Sequence, residues 1–235
     1  MDNKNNQVRF GNYVETYEKE IQSSIGFIGQ DHDFFIKVKA DLITGIAAAN
    51  FTQYNDINVL DIGCGIGLID HHLSTVFRNL HGVDIEDSVV EKARKFNSGV
   101  KYSHYSGTSL PFNDSSMDLV FAINVMHHVP PGNWDGFTKE MARVLREGGT
   151  AVVFEHNPLN PLTRLAVDRC EFDRDAVLLH KRKLKKLFID SDFKKIKTSY
   201  ILFFPIKKKI FRNLEKLIGW LPLGAQLFIT GKKET

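Results

Sequence analysis

The sequence predicts an α/β fold with a mostly parallel sheet and helices on both faces. From residue 57 to residue 155, short apolar segments of strand length alternate with segments of helical periodicity. A glycine-rich turn joins the first of these strands to the helix after it. The composition, with 43% apolar and 25% charged residues, is that of an ordinary globular protein. Such alternation favours parallel strands, because each parallel pair needs a crossover connection.

The elements follow in order from this pattern. Helices are predicted over residues 13–24 and 31–50, and Asp31 or Asp33 is expected to cap the second. Gly148 and Gly149 are expected to stop the helix that starts at Trp134, and Asp87 or Ser88 to cap the helix before residue 97. Further predicted strands are 57–62, 80–83, 100–105, 117–124, 150–155, 196–204 and 225–230, and further helices are 68–77, 87–97, 134–146, 161–169, 179–188 and 207–220.

The opening residues carry no signal-peptide pattern, and no apolar run is long enough to span a membrane. The two cysteines, Cys64 and Cys170, could form a disulfide, but Cys64 in the glycine-rich turn is expected to be a buried thiol, and a reducing cytoplasm is expected. No group of Cys, His and acidic residues has the spacing of a structural zinc site, so no metal is expected.

Charge is distributed unevenly along the chain. Residues after position 180 contain 15 of the 31 Lys and Arg residues but only 4 of the 28 acidic residues. Over 206–222, basic residues occupy one face and apolar residues another, which is the composition of an interfacial helix. Residues 181–221 therefore predict contact with a membrane or another anionic surface. Solvated helix faces, and a helix packed on the sheet, are the alternatives.

The turn after the first strand carries the most information about function. Gly63, Gly65 and Gly67 occupy alternate positions, so a ligand can pack directly on the backbone at a helix start. A dinucleotide-binding turn needs the spacing G-x-G-x-x-G, which disfavours an NAD-dependent oxidoreductase. Asp61 precedes the first glycine by two residues and suits a cationic ligand. Asp84, at the end of the next strand, can accept hydrogen bonds from ribose hydroxyls.

With these residues, the segment 59–67 resembles the first motif of the class I S-adenosylmethionine-dependent methyltransferases. The resemblance continues through HGVD at 81–84, LPF at 110–112, MDLVF at 117–121, MHHVP at 126–130 and MARVLREGG at 141–149. It implies a doubly wound, Rossmann-like methyltransferase fold with about seven strands, the last of them antiparallel. It also implies S-adenosylmethionine as cofactor and S-adenosylhomocysteine as product.

The resemblance further implies how the cofactor is held. Asp61, Gly63 and Gly65 would line its methionine side, Asp84 would hold the ribose, and Ile85 would pack on adenine. Relatives usually carry an acidic residue near the adenine amine, and Ser106 takes that place here. The complete set of residues expected to contact the cofactor is Asp61, Gly63, Cys64, Gly65, Gly67, Asp84, Ile85, Ser106, Gly107 and Asn124.

Candidates for the acceptor side lie at the same edge of the predicted sheet. His127, His128 and Glu155 are candidates for a general base, since a histidine pKa lies near neutrality. Structural packing of the histidine pair is the alternative. The residues expected to bind the acceptor are Tyr13, Tyr17, His156, Asn157 and Arg164.

The sequence thus predicts one domain, with a helical cap over 1–50, a cofactor-binding core over 55–155 and an acceptor-side region over 156–235. The expected activity is methyl transfer to a small molecule such as a sugar, lipid or quinone. A non-catalytic cofactor-binding partner protein is the alternative from another class. Nucleic-acid methylation is disfavoured, because no Asn/Asp-Pro-Pro-Tyr motif follows the strand that ends at Asn124.

Overall fold

The computed structural model describes residues 31–206 and 208–234. The predicted helix over 13–24, and with it Tyr13 and Tyr17, lies outside the described residues. No helix of the described part of the chain has the length and apolar composition needed to cross a membrane.

A seven-stranded sheet forms the centre of the molecule. Its strands are β1 (Asn58–Ile62), β2 (Asn79–Asp84), β3 (Lys101–His104), β4 (Met117–Ile123), β5 (Leu145–His156), β6 (Phe193–Ile201) and β7 (Gln226–Lys233). They lie in the order β3-β2-β1-β4-β5-β7-β6. The first five strands are parallel, and β7 is antiparallel to both β5 and β6. The expected doubly wound, mostly parallel sheet with an antiparallel last strand is confirmed.

Helices connect the strands, and several begin or end at residues that the sequence identifies. The first helix starts after Asp31, whose side chain accepts a 3.0 Å hydrogen bond from the Phe34 N–H, as predicted for the cap. The α-helices are α1 (His32–Asn50), α2 (Leu68–Leu73), α3 (Asp87–Phe96), α4 (Trp134–Val144), α5 (Pro161–Arg169), α6 (Lys181–Asp190) and α7 (Lys209–Ile218).

Several element bounds differ from the predicted ones; β6, for example, spans Phe193–Ile201 rather than 196–204. Two of the differences concern predicted signals at helix ends. The helix α4 ends at Val144 rather than near Gly148, because Leu145 already pairs with Met117 of β4. The strand β5 therefore runs through the two glycines that were expected to stop the helix. The predicted cap of α3 is also wrong: Glu86 precedes the helix, and its side chain makes no capping hydrogen bond.

The two faces of the sheet bury separate hydrophobic clusters. Along β4, Val120 and Ala122 belong to one cluster, and Leu119 and Phe121 belong to the other. This alternation is the two-residue period of a strand covered on both faces. The first cluster contains apolar residues of α4 and α6, and the second contains those of α1, α2 and α3. Because β1, β2, β4 and β5 are parallel, their carboxyl ends meet at one edge of the sheet.

Candidate active site

A cavity of about 660 Å³ lies at this edge, where the strand order reverses between β1 and β4. Its volume falls within the range of roughly 300–1,000 Å³ that is usual for small-molecule sites. Open α/β sheets bind ligands at such a switch point. Each of four parallel strands contributes to the wall at or just after its carboxyl end, through Gly63, Asp84, Asn124 and His156.

The glycine turn is fixed against β2 and opens toward the cavity. The N–H groups of Gly63 and Cys64 donate to the Val83 carbonyl at 2.7 and 3.0 Å. Gly65 has φ +54°, and no atom lies within 4 Å of the place where a Cβ would stand. A side chain at Gly65 would therefore project into open space, which suits close approach of a ligand to the backbone.

Asp84 forms the part of the cavity wall beside the turn. One carboxylate oxygen accepts the Gly65 N–H at 3.0 Å, and the other accepts the Glu86 N–H at 3.1 Å. These bonds hold the carboxylate in place while its remaining lone pairs stay available to a ligand. This is the geometry expected for a group that binds ribose hydroxyls.

Asp61 has a buried side-chain oxygen, Oδ1, without a hydrogen-bond partner among the described residues, beside the cavity. The residue is 2% exposed and lines the cavity. Burial, and then the nearby negative charge of Asp70, raise the pKa of Asp61 well above its usual value. A cationic group in the cavity would satisfy this oxygen and favour the ionised form.

Further predicted cofactor residues also line the cavity. Ile85 is 51% exposed, and Ser106 donates to or accepts from Thr108 at 2.9 Å through its hydroxyl. Gly107 has φ +82°. Asn124 has φ +56°, a conformation that asparagine adopts more readily than most residues, and its side-chain oxygen accepts from Gln226 at 3.2 Å.

Gly67, Asn157, Arg164 and Glu155 were predicted as site residues but do not line the cavity. Gly67 does not line the cavity; a Cβ there would meet Tyr102 and Asn97, so this glycine serves packing. The Asn157 side chain is buried and donates to the backbone carbonyls of Pro222 and Gly224. Arg164 is exposed on α5 and is not part of the cavity wall.

At the other end of the cavity, three imidazoles surround one carboxylate. Asp173 Oδ1 lies 3.3 Å from His127 Nε2 and 3.4 Å from His128 Nε2. Asp173 Oδ2 lies 3.9 Å from His156 Nε2. All four residues line the cavity, so the predicted acceptor-side histidines come together there.

Glu155 lies behind this cluster. Both its oxygens are occupied: Oε1 accepts the Met126 N–H at 2.8 Å, and Oε2 lies 2.5 Å from His127 Nδ1. The residue is fully buried and is not part of the cavity wall. Glu155 can therefore orient His127, but it does not reach an acceptor as the expected base would.

The charges of the cluster are strongly coupled. Burial lowers the pKa of His127, but the carboxylates of Glu155 and Asp173 outweigh it and raise that pKa to about 10. Burial and the neighbouring His127 lower the pKa of His128 to about 3, and burial lowers that of His156 to about 4. Burial raises the pKa of Asp173, but its hydrogen bond to His127 prevails and lowers it to about 2. The cluster holds one cationic and two neutral imidazoles at neutral pH.

Sequence reasoning missed two charged residues of the cavity wall, Lys39 and Asp173. Asp173 comes from a short turn of 3-10 helix at Glu171–Asp173 and has no distinguishing motif. Lys39 is 5% exposed, and burial lowers its pKa to about 8. It stands three residues after Ile36 and four before Ile43, both buried, and this helical register could have placed Lys39 on the inner face of α1.

Comparisons with known proteins agree with this geometry. Residues 60–153 match a family model described as a methyltransferase domain. An uncharacterized methyltransferase of Mycobacterium sp. (strain JLS) is 36% identical over 106 residues, 45% of this chain and 41% of the relative. The 2-methyl-6-phytyl-1,4-hydroquinone methyltransferase of Synechocystis sp. is 30% identical over 152 residues, 57% of this chain and 47% of the relative. The chain thus spans less than half the length of these two curated relatives.

A solved structure shares the fold over nearly the whole chain. A SAM-dependent methyltransferase from Thermotoga maritima has a TM-score of 0.67 and 19% identity, covering 96% of this chain and 98% of its own. Residues 60–153 are thus similar in sequence to a methyltransferase domain, and the fold is similar to that of a SAM-dependent methyltransferase.

Proposed function

We propose that this chain is a methyltransferase that binds S-adenosylmethionine at the glycine turn and methylates a small-molecule acceptor at the histidine-lined end of the cavity. One observation carries the proposal: a single cavity is lined by Gly65 and Asp84 at one end and by His128 and His156 at the other. The bound sulfonium supplies an electrophilic methyl group. The protein's task is then to hold an acceptor atom in line with that methyl group.

On the cofactor side, charge complementarity assigns the ends of the methionine part. Asp61, whose Oδ1 lacks a partner, pairs with the amino group. Lys39 lines the same cavity and is the cationic residue proposed to bind the carboxylate. Asp84 binds the ribose hydroxyls, and Ile85 packs on adenine beside Ser106 and Gly107. Cys64 and Asn124 complete the wall beside the methionine part.

Substitution of Gly65 tests the cofactor site. In Gly65→Ala the new methyl group enters the ligand space, so S-adenosylhomocysteine should raise the Tm of the wild type but not that of the variant. The left-handed backbone of Gly65 makes the variant itself less stable by about 1 kcal/mol. Differential scanning fluorimetry gives both quantities.

Gly45→Ala is the matched control, because a Cβ at this exposed position of α1 meets nothing within 4 Å. It should respond to S-adenosylhomocysteine like the wild type. NAD should stabilise none of the three proteins, since the glycine spacing does not fit a pyrophosphate. Equal stabilisation of Gly65→Ala and wild type, or stabilisation by NAD alone, would contradict the proposed function.

The acceptor is proposed to be amphipathic, such as a lipid-like, quinone-like or sugar-containing molecule. Apolar side chains line the cavity around the polar cluster: Phe35, Ile36, Leu162, Val167, Phe203 and Phe204. An apolar wall with a few converging polar groups is typical of a site that orients one polar atom of a mostly apolar ligand. The similarity to a hydroquinone methyltransferase supports an acceptor of this kind.

In this proposal His127 and His128 face the reacting atom of the acceptor, and His156 adjoins it. Glu155 acts through His127, as a positioning residue. A hydroxyl acceptor must lose a proton during transfer, and an imidazole of the cluster around Asp173 accepts that proton. An amine acceptor would need less help. The alternative of a non-catalytic cofactor-binding protein would retain S-adenosylhomocysteine binding and give no turnover with any acceptor.

We also propose that α7 contacts an anionic membrane surface. Ile210, Leu214 and Leu217 recur at helical spacing on one face of α7, and all three are exposed. Trp220 and Leu223 are also exposed just beyond the end of the helix, and Lys208 and Lys216 are exposed in the same segment. The Asn160 side chain, which lines the cavity, donates to the Leu223 carbonyl at 2.7 Å, so this segment adjoins the cavity. A lipid-like acceptor could then enter from the membrane side.

A further inference from the structure

The cluster around Asp173 has the composition of a transition-metal site. His127, His128 and Asp173 each offer one ligand atom, and these atoms all lie within 4.8 Å of one another. Imidazole nitrogen and carboxylate oxygen are common zinc ligands. His127 is fully buried, whereas His128 and Asp173 are partly exposed toward the cavity.

Two of the ligand distances in the cluster are compatible with one shared ion. A charge-assisted N–H···O bond is usually about 2.7–2.9 Å long. Both imidazole nitrogens stand farther away, at 3.3 and 3.4 Å from the same oxygen. With metal–ligand bonds of about 2.0–2.1 Å, a tetrahedral site places neighbouring ligand atoms about 3.3–3.4 Å apart.

The surroundings orient the ligands as a metal would require. Glu155 lies 2.5 Å from His127 Nδ1. Metal binding would displace the second ring proton of His127, and with Nδ1 donating to Glu155 the Nε2 lone pair would point toward Asp173. A carboxylate behind a ligating histidine is a frequent arrangement in zinc proteins. Backbone bonds also fix the segment: the Val177 N–H donates to the His127 carbonyl at 2.8 Å, and the Trp134 indole donates to the Met126 carbonyl at 2.8 Å.

We propose that His127, His128 and Asp173 bind one divalent transition-metal ion, with zinc as the best match to the ligands and geometry. Three protein ligands would leave a coordination position open, and all three ligands line the cavity. If the proposed methyltransferase function holds, an acceptor hydroxyl would bind there, and the ion would lower its pKa. The metal site itself depends only on the three side chains.

Zinc binding to the full chain tests the proposal. Protein stripped with a chelator is titrated calorimetrically with zinc chloride, and its metal content is measured by mass spectrometry after dialysis. The wild type should bind about one zinc ion per chain, and Co²⁺ in its place should give the visible absorption of a tetrahedral site. His128→Gln and Asp173→Ala should each weaken zinc binding at least tenfold. His180→Gln, which removes an exposed histidine outside the cluster, should leave it unchanged.

Each sample is also titrated with S-adenosylhomocysteine, and this reports on the cofactor site independently. A variant that binds S-adenosylhomocysteine but not zinc is folded, so its loss of zinc supports the site. Wild type that binds S-adenosylhomocysteine but little zinc would overturn the metal site alone, as would unchanged zinc binding in both cluster variants. Zinc binding without S-adenosylhomocysteine binding would support the metal site and count against the proposed cofactor site.

Discussion

At the scale of single residues, Asp70 is a buried acid next to the cofactor site. It is fully buried at the start of α2, close to Asp61. Burial raises its pKa from 3.8 to about 7, and the nearby Tyr102 hydroxyl and Asp61 oppose part of this shift. The folded state therefore holds a proton that the unfolded state releases. The stability contribution of Asp70 is greatest below its unfolded pKa and falls as the pH rises to about 7.

Removal of this charge should stabilise the protein at neutral and alkaline pH. Asp70→Asn should raise the free energy of unfolding at about pH 8 by roughly 1–3 kcal/mol, with the gain shrinking toward pH 4. Urea denaturation at several pH values measures it. Asp168→Asn, at an exposed position of α5, should show no such pH-dependent gain. A gain in Asp70→Asn that does not change with pH would contradict the assigned cause.

The residues that could be predicted are those whose partners lie close in sequence or at a fixed spacing. Gly65 and Asp84 belong to this group, because a strand, a turn and the next strand place them together in any doubly wound sheet. Asp173 joins His127 and His156 only through the folded chain, from a turn after α5. No spacing rule connects three such segments, so the sequence placed the histidines at one edge of the sheet but did not predict that Asp173 joins them.

At the scale of elements, α7 differs from the helices that cover the sheet. The buried sides of α4 and α6 belong to the hydrophobic core, whereas Ile210 and Leu217 of α7 are 71% and 74% exposed. Burial of such side chains in a membrane interface contributes about 1.5–3 kcal/mol each, and attraction to anionic lipids adds to it. The exposed apolar face, together with the lysines of this segment, thus predicts stronger binding to a negatively charged bilayer than to a neutral one.

Sedimentation with lipid vesicles checks this prediction. The wild type should bind vesicles that contain phosphatidylglycerol more strongly than vesicles of phosphatidylcholine alone, and added salt should weaken the binding. The double variant Ile210→Gln, Leu217→Gln should lose at least about tenfold in affinity. Ile189→Gln replaces an exposed apolar residue of α6 and serves as control. Equal binding by the double variant and the control would rule out α7 as the contact.

Element boundaries were predictable only where local chemistry determines them. Asp31 starts α1 through its own side chain, and that boundary is found as expected. The end of α4 depends instead on β4, since Leu145 joins the sheet opposite Met117 before the glycines are reached. Pairing with a distant strand outweighs a local stop signal there. The strands and their succession along the chain were nevertheless predictable, because the hydrophobic pattern of strands and helices recurs throughout the core.

At the scale of the whole molecule, the strand order explains why cofactor residues and histidines share one cavity. The central strands β1 and β4 are neighbours, with β2 beyond β1 and β5 beyond β4. Asp84 follows from the β2 side and His156 from the β5 side, so the two halves of the site meet across the switch point. We expect the Asp84 half of this cavity to bind the cofactor.

Titration calorimetry with S-adenosylhomocysteine on wild type, Asp84→Ala and Asp87→Ala tests this claim most directly. Removal of the Asp84 carboxylate deletes its hydrogen bonds to the ribose, each worth about 1.5–3 kcal/mol, so the Kd should rise by at least tenfold. Asp87 is exposed at the start of α3, and its removal should leave the Kd unchanged. S-adenosylhomocysteine should bind to the wild type, and only Asp84→Ala should weaken this binding. The same Kd for both variants, or no binding to folded wild type, would contradict this expectation.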